Sequence, residues 1–108
     1  MTEVQIAWMA GLLEGEGCWL INHTKKWSSP RILLQMTDED VVRKAARITG
    51  VGKVGGPYGP YKNSLGTKSW FKWDVNKRVD VEYLSGLVLP HMGTRRTAKI
   101  LEVLSCGM

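Results

Sequence analysis

Apolar residues crowd the first turns of the chain with no polar face between them. Thr2 followed three residues later by Gln5 forms a capping box, and Val4, Ile6, Ala7, Trp8, Ala10, Gly11, Leu12 and Leu13 predict a helix that is apolar nearly all round. Such a helix needs cover on more than one side, and a second copy of the chain is the natural cover. Gly11 and Gly15, four residues apart, share a face on which two backbones can approach closely. The same glycines also fit a weak, fraying helix end.

After Gly17 the period changes to two. Trp19, Ile21 and His23 alternate with Leu20, Asn22, Thr24 and Lys26, which reads as a strand. Trp27-Ser28-Ser29-Pro30 predicts a turn, and a second strand runs from Arg31 to Met36 with Ile32, Leu34 and Met36 on one face. Thr37-Asp38-Glu39-Asp40 repeats the capping-box pattern and opens a helix through Val41, Val42, Ala45, Ala46 and Ile48, closed by Gly50. Five glycines between Gly50 and Gly59, with Pro57 and Pro60, predict a short strand around Lys53-Val54 and a long irregular loop. The next strand is Lys68 to Val75. A helix through Val79, Val81, Tyr83, Leu84, Leu87 and Val88 stops near Pro90, and Thr94 caps a final helix carrying Arg95, Arg96, Ile100, Leu101, Val103 and Leu104.

The order α-β-β-α-β-β-α-α predicts an α+β fold: one domain over residues 1–108, a four-stranded antiparallel sheet, and helices on one face with the other face free. Period two assigns Leu20, Asn22, Thr24, Lys26, Ser29, Arg31, Leu33, Gln35, Lys53, Lys68, Lys72 and Asp74 to the free face. Trp19, Phe71 and Trp73 are read as core, and Trp70 and Tyr61 suit either side.

Composition narrows the function. An apolar content of 44% over 108 residues supports one packed core and argues against disorder. The longest apolar run, Ile6 to Leu13, is too short to span a bilayer, and no secretory signal is expected behind Glu3. Cys18 and Cys106 match no zinc or redox spacing, which favours a reducing, intracellular setting. His23 and His91 have no serine or cysteine partner at a recognisable spacing, which disfavours nucleophilic hydrolysis. Fifteen Lys and Arg against ten Asp and Glu leave a net charge of +5. From Gly52 to Arg78 the chain carries Lys53, Lys62, Lys68, Lys72, Lys77 and Arg78 against Asp74 alone. Cations on strands make the free sheet face a candidate phosphate-facing surface, although solvated strand lysines also serve to discourage edge pairing.

Glu14 and Glu16 stand at the negative end of the first helix, a placement that costs about 0.3–1 kcal/mol each. Two such tips brought together by paired helices would repel by roughly 3 kcal/mol at about 5 Å, and a divalent cation such as Mg²⁺ would turn the repulsion into attraction. The other reading is that both glutamates are simply solvated.

The run Trp8-Met9-Ala10-Gly11-Leu12-Leu13-Glu14-Gly15-Glu16-Gly17 resembles the motif of the LAGLIDADG homing endonucleases, with Glu14 and Glu16 in place of two aspartates. The likeness extends to Leu34-Gln35-Met36-Thr37-Asp38, Thr49-Gly50-Val51-Gly52 and Leu89-Pro90 ahead of a basic helix. The resemblance implies a saddle-shaped sheet lying in the DNA major groove and a homodimer packed through Trp8, Gly11, Leu12 and Gly15. It implies catalysis by Glu16, Asp38 and Arg95: Glu16 as metal ligand with its backbone neighbour Gly17, Asp38 orienting water, and Arg95, with Arg96 as the alternative, beside the scissile phosphate. Glutamate is one methylene longer than aspartate, and arginine replaces the family's usual lysine; both departures bear on rate more than on fold. On the saddle, Asn22 and Gln35 suit adenine edges and Arg31 suits guanine. The function implied is a Mg²⁺-dependent endonuclease cutting double-stranded DNA at a roughly palindromic target, with no membrane partner. The rivals are a DNA-binding protein of the same fold that does not cut, and an RNA-binding intron-splicing helper.

Overall fold

The computed structural model describes residues 1–60 and 68–107, so Tyr61 and Lys62 lie outside the described residues. Helix α1 (Glu3–Glu16) starts at the predicted capping box: the Thr2 hydroxyl accepts from Gln5 N–H at 3.1 Å, and Gln5 Oε1 accepts from Thr2 N–H at 2.9 Å. Its end is equally abrupt. Gly17 turns to extended backbone (φ −81°, ψ 155°) and is at once the first residue of β1 (Gly17–His23). A Cβ at position 17 would stand 2.7 Å from Leu13 Cδ2 and 2.9 Å from Leu13 O, so glycine is what lets the strand leave against the last helical turn.

There follow β2 (Ser28–Met36), α2 (Glu39–Thr49), β3 (Lys53–Tyr58), β4 (Trp70–Val75), α3 (Arg78–Val88), a 3-10 turn at Leu89–His91 and α4 (Thr94–Leu104). The strands pair antiparallel in the order β1-β2-β4-β3, and α1 to α4 pack on one face of the sheet. This is the α+β fold predicted from the period changes. The core between the two layers is built from Met9 and Leu13 of α1, Ile32 and Leu34 of β2, Trp73 and Val75 of β4, and apolar residues of α2, α3 and α4. Its two largest side chains each keep a partner for the indole N–H: Trp19 Nε1 donates to Ser85 Oγ at 3.0 Å, and Trp73 Nε1 donates to Val51 O at 2.9 Å. Phe71 packs against this core partly buried.

Several predicted boundaries shift, each for a local reason. The hairpin turns at Thr24–Trp27 and not at Trp27–Pro30. Thr24 N–H and its hydroxyl both donate to Trp27 O at 2.9 Å, while Thr24 Oγ1 accepts from Trp27 N–H. Pro30 therefore sits inside β2, opposite Ile21 and before the β2–β4 ladder opens at Ile32, where a missing N–H breaks no rung toward β4. Strand β3 runs on to Tyr58 through Gly55, Gly56 and Pro57, because an edge strand tolerates proline and a register shift between Gly55 and Tyr58 absorbs the irregularity. Gly56 takes φ +119° there, and a Cβ would meet Trp70 O at 2.9 Å. Strand β4 begins at Trp70, which leaves Lys68 exposed ahead of the sheet.

The two later helix caps also differ from expectation. Asp38 is the N-cap of α2 but its carboxylate makes no cap bond, since Asp40 Oδ1 accepts from Val41 N–H at 3.0 Å. Gly93, not Thr94, is the N-cap of α4, and Glu14 of α1 reaches across to its N–H. No helix among the described residues is long and apolar enough to cross a membrane.

Candidate functional site

The tip of α1 is the place where the elements converge. Glu14 is held: its Oε1 accepts from Gly93 N–H at 3.3 Å, its Oε2 lies 3.8 Å from Arg96 Nε, and its backbone oxygen accepts from Arg96 Nη2 at 3.0 Å. Arg96 also lies over the Trp19 ring, 5.7 Å from its centroid. The cost of an acid at the negative end of α1 is thus offset, for Glu14, by a guanidinium and the positive end of α4. Glu16 has no such relief; its carboxylate is exposed and has no partner among the described residues.

The Glu14–Arg96 link brings the start of α4 to this tip, and Arg95, the preceding residue, is exposed there without a partner among the described residues. The pairing of Gly17 with Leu34 puts the end of β2, and with it exposed Asp38, at the same end of the sheet. Glu16, Asp38 and Arg95 therefore share one end of the molecule, each with its charge uncommitted among the described residues. Gly17 is buried, and its lack of a side chain is accounted for by the contact with Leu13. Among the described residues, no three His, Cys, Asp or Glu side chains are gathered closely enough to hold a metal ion.

The free face of the sheet carries the predicted strand set in two-residue alternation. Leu20, Asn22, Ser29, Arg31, Leu33, Lys72 and Asp74 lie there half-buried, with Gln35 and Lys53 exposed. Cross-strand rows join Leu20 with Arg31, Asn22 with Ser29, Gln35 with Lys72, and Leu33 with Asp74 and Lys53. Thr24 and Lys26 belong to the hairpin turn, beside exposed Trp27.

Three features of this face escaped sequence reading. Arg31 and Asp74, 43 positions apart, form a two-pronged ion pair, which holds the Arg31 pKa above its ordinary value chiefly through the hydrogen bond to the Asp74 carboxylate. Tyr58 lies 6.2 Å from Trp70 between ring centroids, with Lys72 Nζ 5.3 Å above the Tyr58 ring. These residues and Gln35 line a depression of about 200 Å³. Tyr58 fell in the glycine-rich stretch where no period was visible. Trp27 fell in an assumed turn, and its position after two lysines was the available signal.

On the far side of α1, Val4 is 79% exposed, Ala7, Gly11 and Gly15 are exposed, and Trp8 and Leu12 are half-buried. A Cβ at Gly11 or Gly15 would meet nothing within 4 Å. Lys44 Nζ, 4.2 Å from the Trp8 ring centroid, is the cation that borders this apolar stripe.

No protein-family model and no curated protein matches the sequence. Solved structures do match, and the fold is the one seen in LAGLIDADG homing endonucleases. The homing endonuclease I-CvuI, in complex with its target, superposes with a TM-score of 0.69 at 16% identity, over 94% of this chain and 64% of I-CvuI. The archaeal intron-encoded I-Vdi141I complexed with DNA gives 0.69 at 12% identity over 93% and 66%. The LAGLIDADG homing endonuclease I-GzeII in complex with its DNA target gives 0.70 at 17% identity over 94% and 35%. The chain thus spans about two thirds of I-CvuI and about one third of I-GzeII.

Proposed function

We propose that the chain is a site-specific DNA endonuclease that works as a homodimer with Mg²⁺ on a roughly palindromic target. The observation that carries this reading is the placement of unpaired Glu16, Asp38 and Arg95 at one end of the molecule, with Lys53 and Lys72 on the free sheet face, in a fold shared with DNA-bound homing endonucleases. An exposed, uncompensated carboxylate fits a hard divalent cation that keeps water and phosphate oxygens as its other ligands. Among the described residues, one chain gathers too few acids for a closed site. A second copy, docked through the stripe of Trp8, Gly11, Leu12 and Gly15, brings a second Glu16 to the first.

In this reading Glu16 holds the cation, with the Gly17 backbone beside it. Bound there, a divalent cation would supply Lewis acidity to a scissile phosphate. Asp38 accepts a hydrogen bond from the attacking water and orients it, and Arg95 balances charge on the phosphate. Lys26, Lys53, Lys68 and Lys72 meet the backbone; Thr24, Ser29 and Leu33 line the groove; Asn22, Gln35 and Arg31 read base edges.

The test is to incubate the protein with a randomised plasmid library and Mg²⁺, sequence the ends, and repeat with Glu16→Gln. Expected are Mg²⁺-dependent double-strand cuts with 5′-phosphate ends in the wild type, and a loss of about 100-fold or more in the variant with duplex binding retained. Cutting by Glu16→Gln at the wild-type rate removes Glu16 from the chemistry. Duplex binding with no cutting by the wild type supports a non-cutting DNA-binding protein instead. Tighter binding to an intron transcript than to any duplex supports the RNA helper.

A further inference from the structure

Asp74 is the acid among the charged residues of a face whose other charges, Arg31, Lys53 and Lys72, are cations, and there it weakens any general attraction for phosphate. It stands across from Leu33 and Lys53 on neighbouring strands, yet its ion pair is with Arg31, diagonally placed on β2. Arg31 Nε donates to Asp74 Oδ1 at 2.8 Å and Arg31 Nη2 to Oδ2 at 2.7 Å, with the side chains only 23% and 17% exposed.

We propose that Asp74 is a specificity-determining positioning residue that turns Arg31 from a phosphate binder into a guanine reader; the proposal rests on the DNA-binding reading of this face. A guanidinium has five N–H groups. The side-on pair uses one on Nε and one on Nη2, so two on Nη1 and one on Nη2 remain, along the end edge of the fork. That edge matches the N7 and O6 acceptors of guanine in the major groove. The pair is also neutral as a unit. It offers donors to an uncharged base edge while having little net attraction for a phosphate. A free arginine would swing to the nearest backbone oxygen; the clamped one has already lost that freedom, so little further ordering opposes the base contact. Lys53 and Lys72, without an acidic partner among the described residues, are left to serve the backbone.

The experiment is selection of duplexes from a randomised pool in Ca²⁺, by wild type, Arg31→Ala, Asp74→Asn and Asp74→Glu, with salt titrations and a denaturation curve for each. Expected is a guanine at one position of each half-target for the wild type, erased in Arg31→Ala. Asp74→Asn should relax that preference by about tenfold or more. It should also bind unrelated duplexes more tightly, with a salt slope steeper by about 0.9 for each additional phosphate neutralised. Asp74→Glu, which keeps the carboxylate, should restore part of the preference. A merely structural Asp74 would lower stability and weaken binding to all duplexes alike, and that result overturns the proposal. So does an Arg31→Ala protein that binds every sequence more weakly without changing the preferred one. A wild type that selects a target while the variants behave in either of those ways sinks only this inference; a wild type that selects no duplex sinks the DNA reading and this inference with it.

Discussion

Gly11 offers a perturbation whose sign depends on whether α1 pairs with a copy of itself. Within one chain its missing side chain is a pure loss: it lies inside α1, and an added Cβ would meet nothing within 4 Å. Gly11→Ala should therefore stabilise the folded chain by about 1 kcal/mol, the usual difference between glycine and alanine in a helix, and raise Tm by roughly 4–8 °C. If two copies pack through this face, each contributes a methyl where the backbones meet, and overpacking costs about 1–3 kcal/mol per insertion. Two methyls at the low end cost about 2 kcal/mol, which weakens the dimer about 30-fold. Sedimentation over a concentration series and denaturation of dilute protein read the two effects separately. A variant that is both more stable and as tightly dimeric as the wild type would refute the placement of Gly11 in the interface.

Adjacent arginines should separate by function. Arg96→Ala removes the bond to Glu14 O and the stacking on Trp19, and is expected to lower unfolding stability by about 1–3 kcal/mol in urea melts. Arg95→Ala, with no partner to lose among the described residues, should change stability by less than about 0.5 kcal/mol and, on the function proposed above, slow cleavage about tenfold or more; equal stability losses for the two would contradict the assignment. Ser85→Ala strips the hydrogen bond from a buried indole and should cost about 1–3 kcal/mol by the same melts, against almost nothing if Trp19 finds another acceptor.

What could be read from the chain was what neighbours in sequence decide. The start of α1 follows from Thr2 and Gln5, and its end from Gly17, all within one turn of the groups they serve. The division of β1, β2 and β4 into two faces follows from alternation alone, so most of the open-face strand residues were legible before any pairing was known, while Thr24, Lys26 and Lys68 fell outside the strands. Proline and glycine misled where the sheet overrode them: Pro30 looked like a turn because nothing local reveals that β4 begins its pairing at Ile32, and Gly55-Gly56-Pro57 looked like a loop because the edge position of β3 is a property of strand order. The ion pairs were out of reach for the same reason. Glu14 meets Arg96 across 82 positions and Arg31 meets Asp74 across 43, and no periodicity carries information over such separations. Charge and helix position alone leave Glu14 and Glu16 alike; the motif resemblance singles out Glu16, and the structure adds that α4 claims Glu14.

The passage from α1 straight into β1 at Gly17 has a mechanical consequence. With no residue between them, and Gly17 packed against Leu13, the direction of the helix sets where the strand starts. On the pairing proposed above, the crossing of the two helices then works as a caliper that fixes the gap between left and right halves of the target. On that reading, adaptation to new sequences would fall to exchanging strand side chains, because widening or narrowing the gap would mean rebuilding the joint itself.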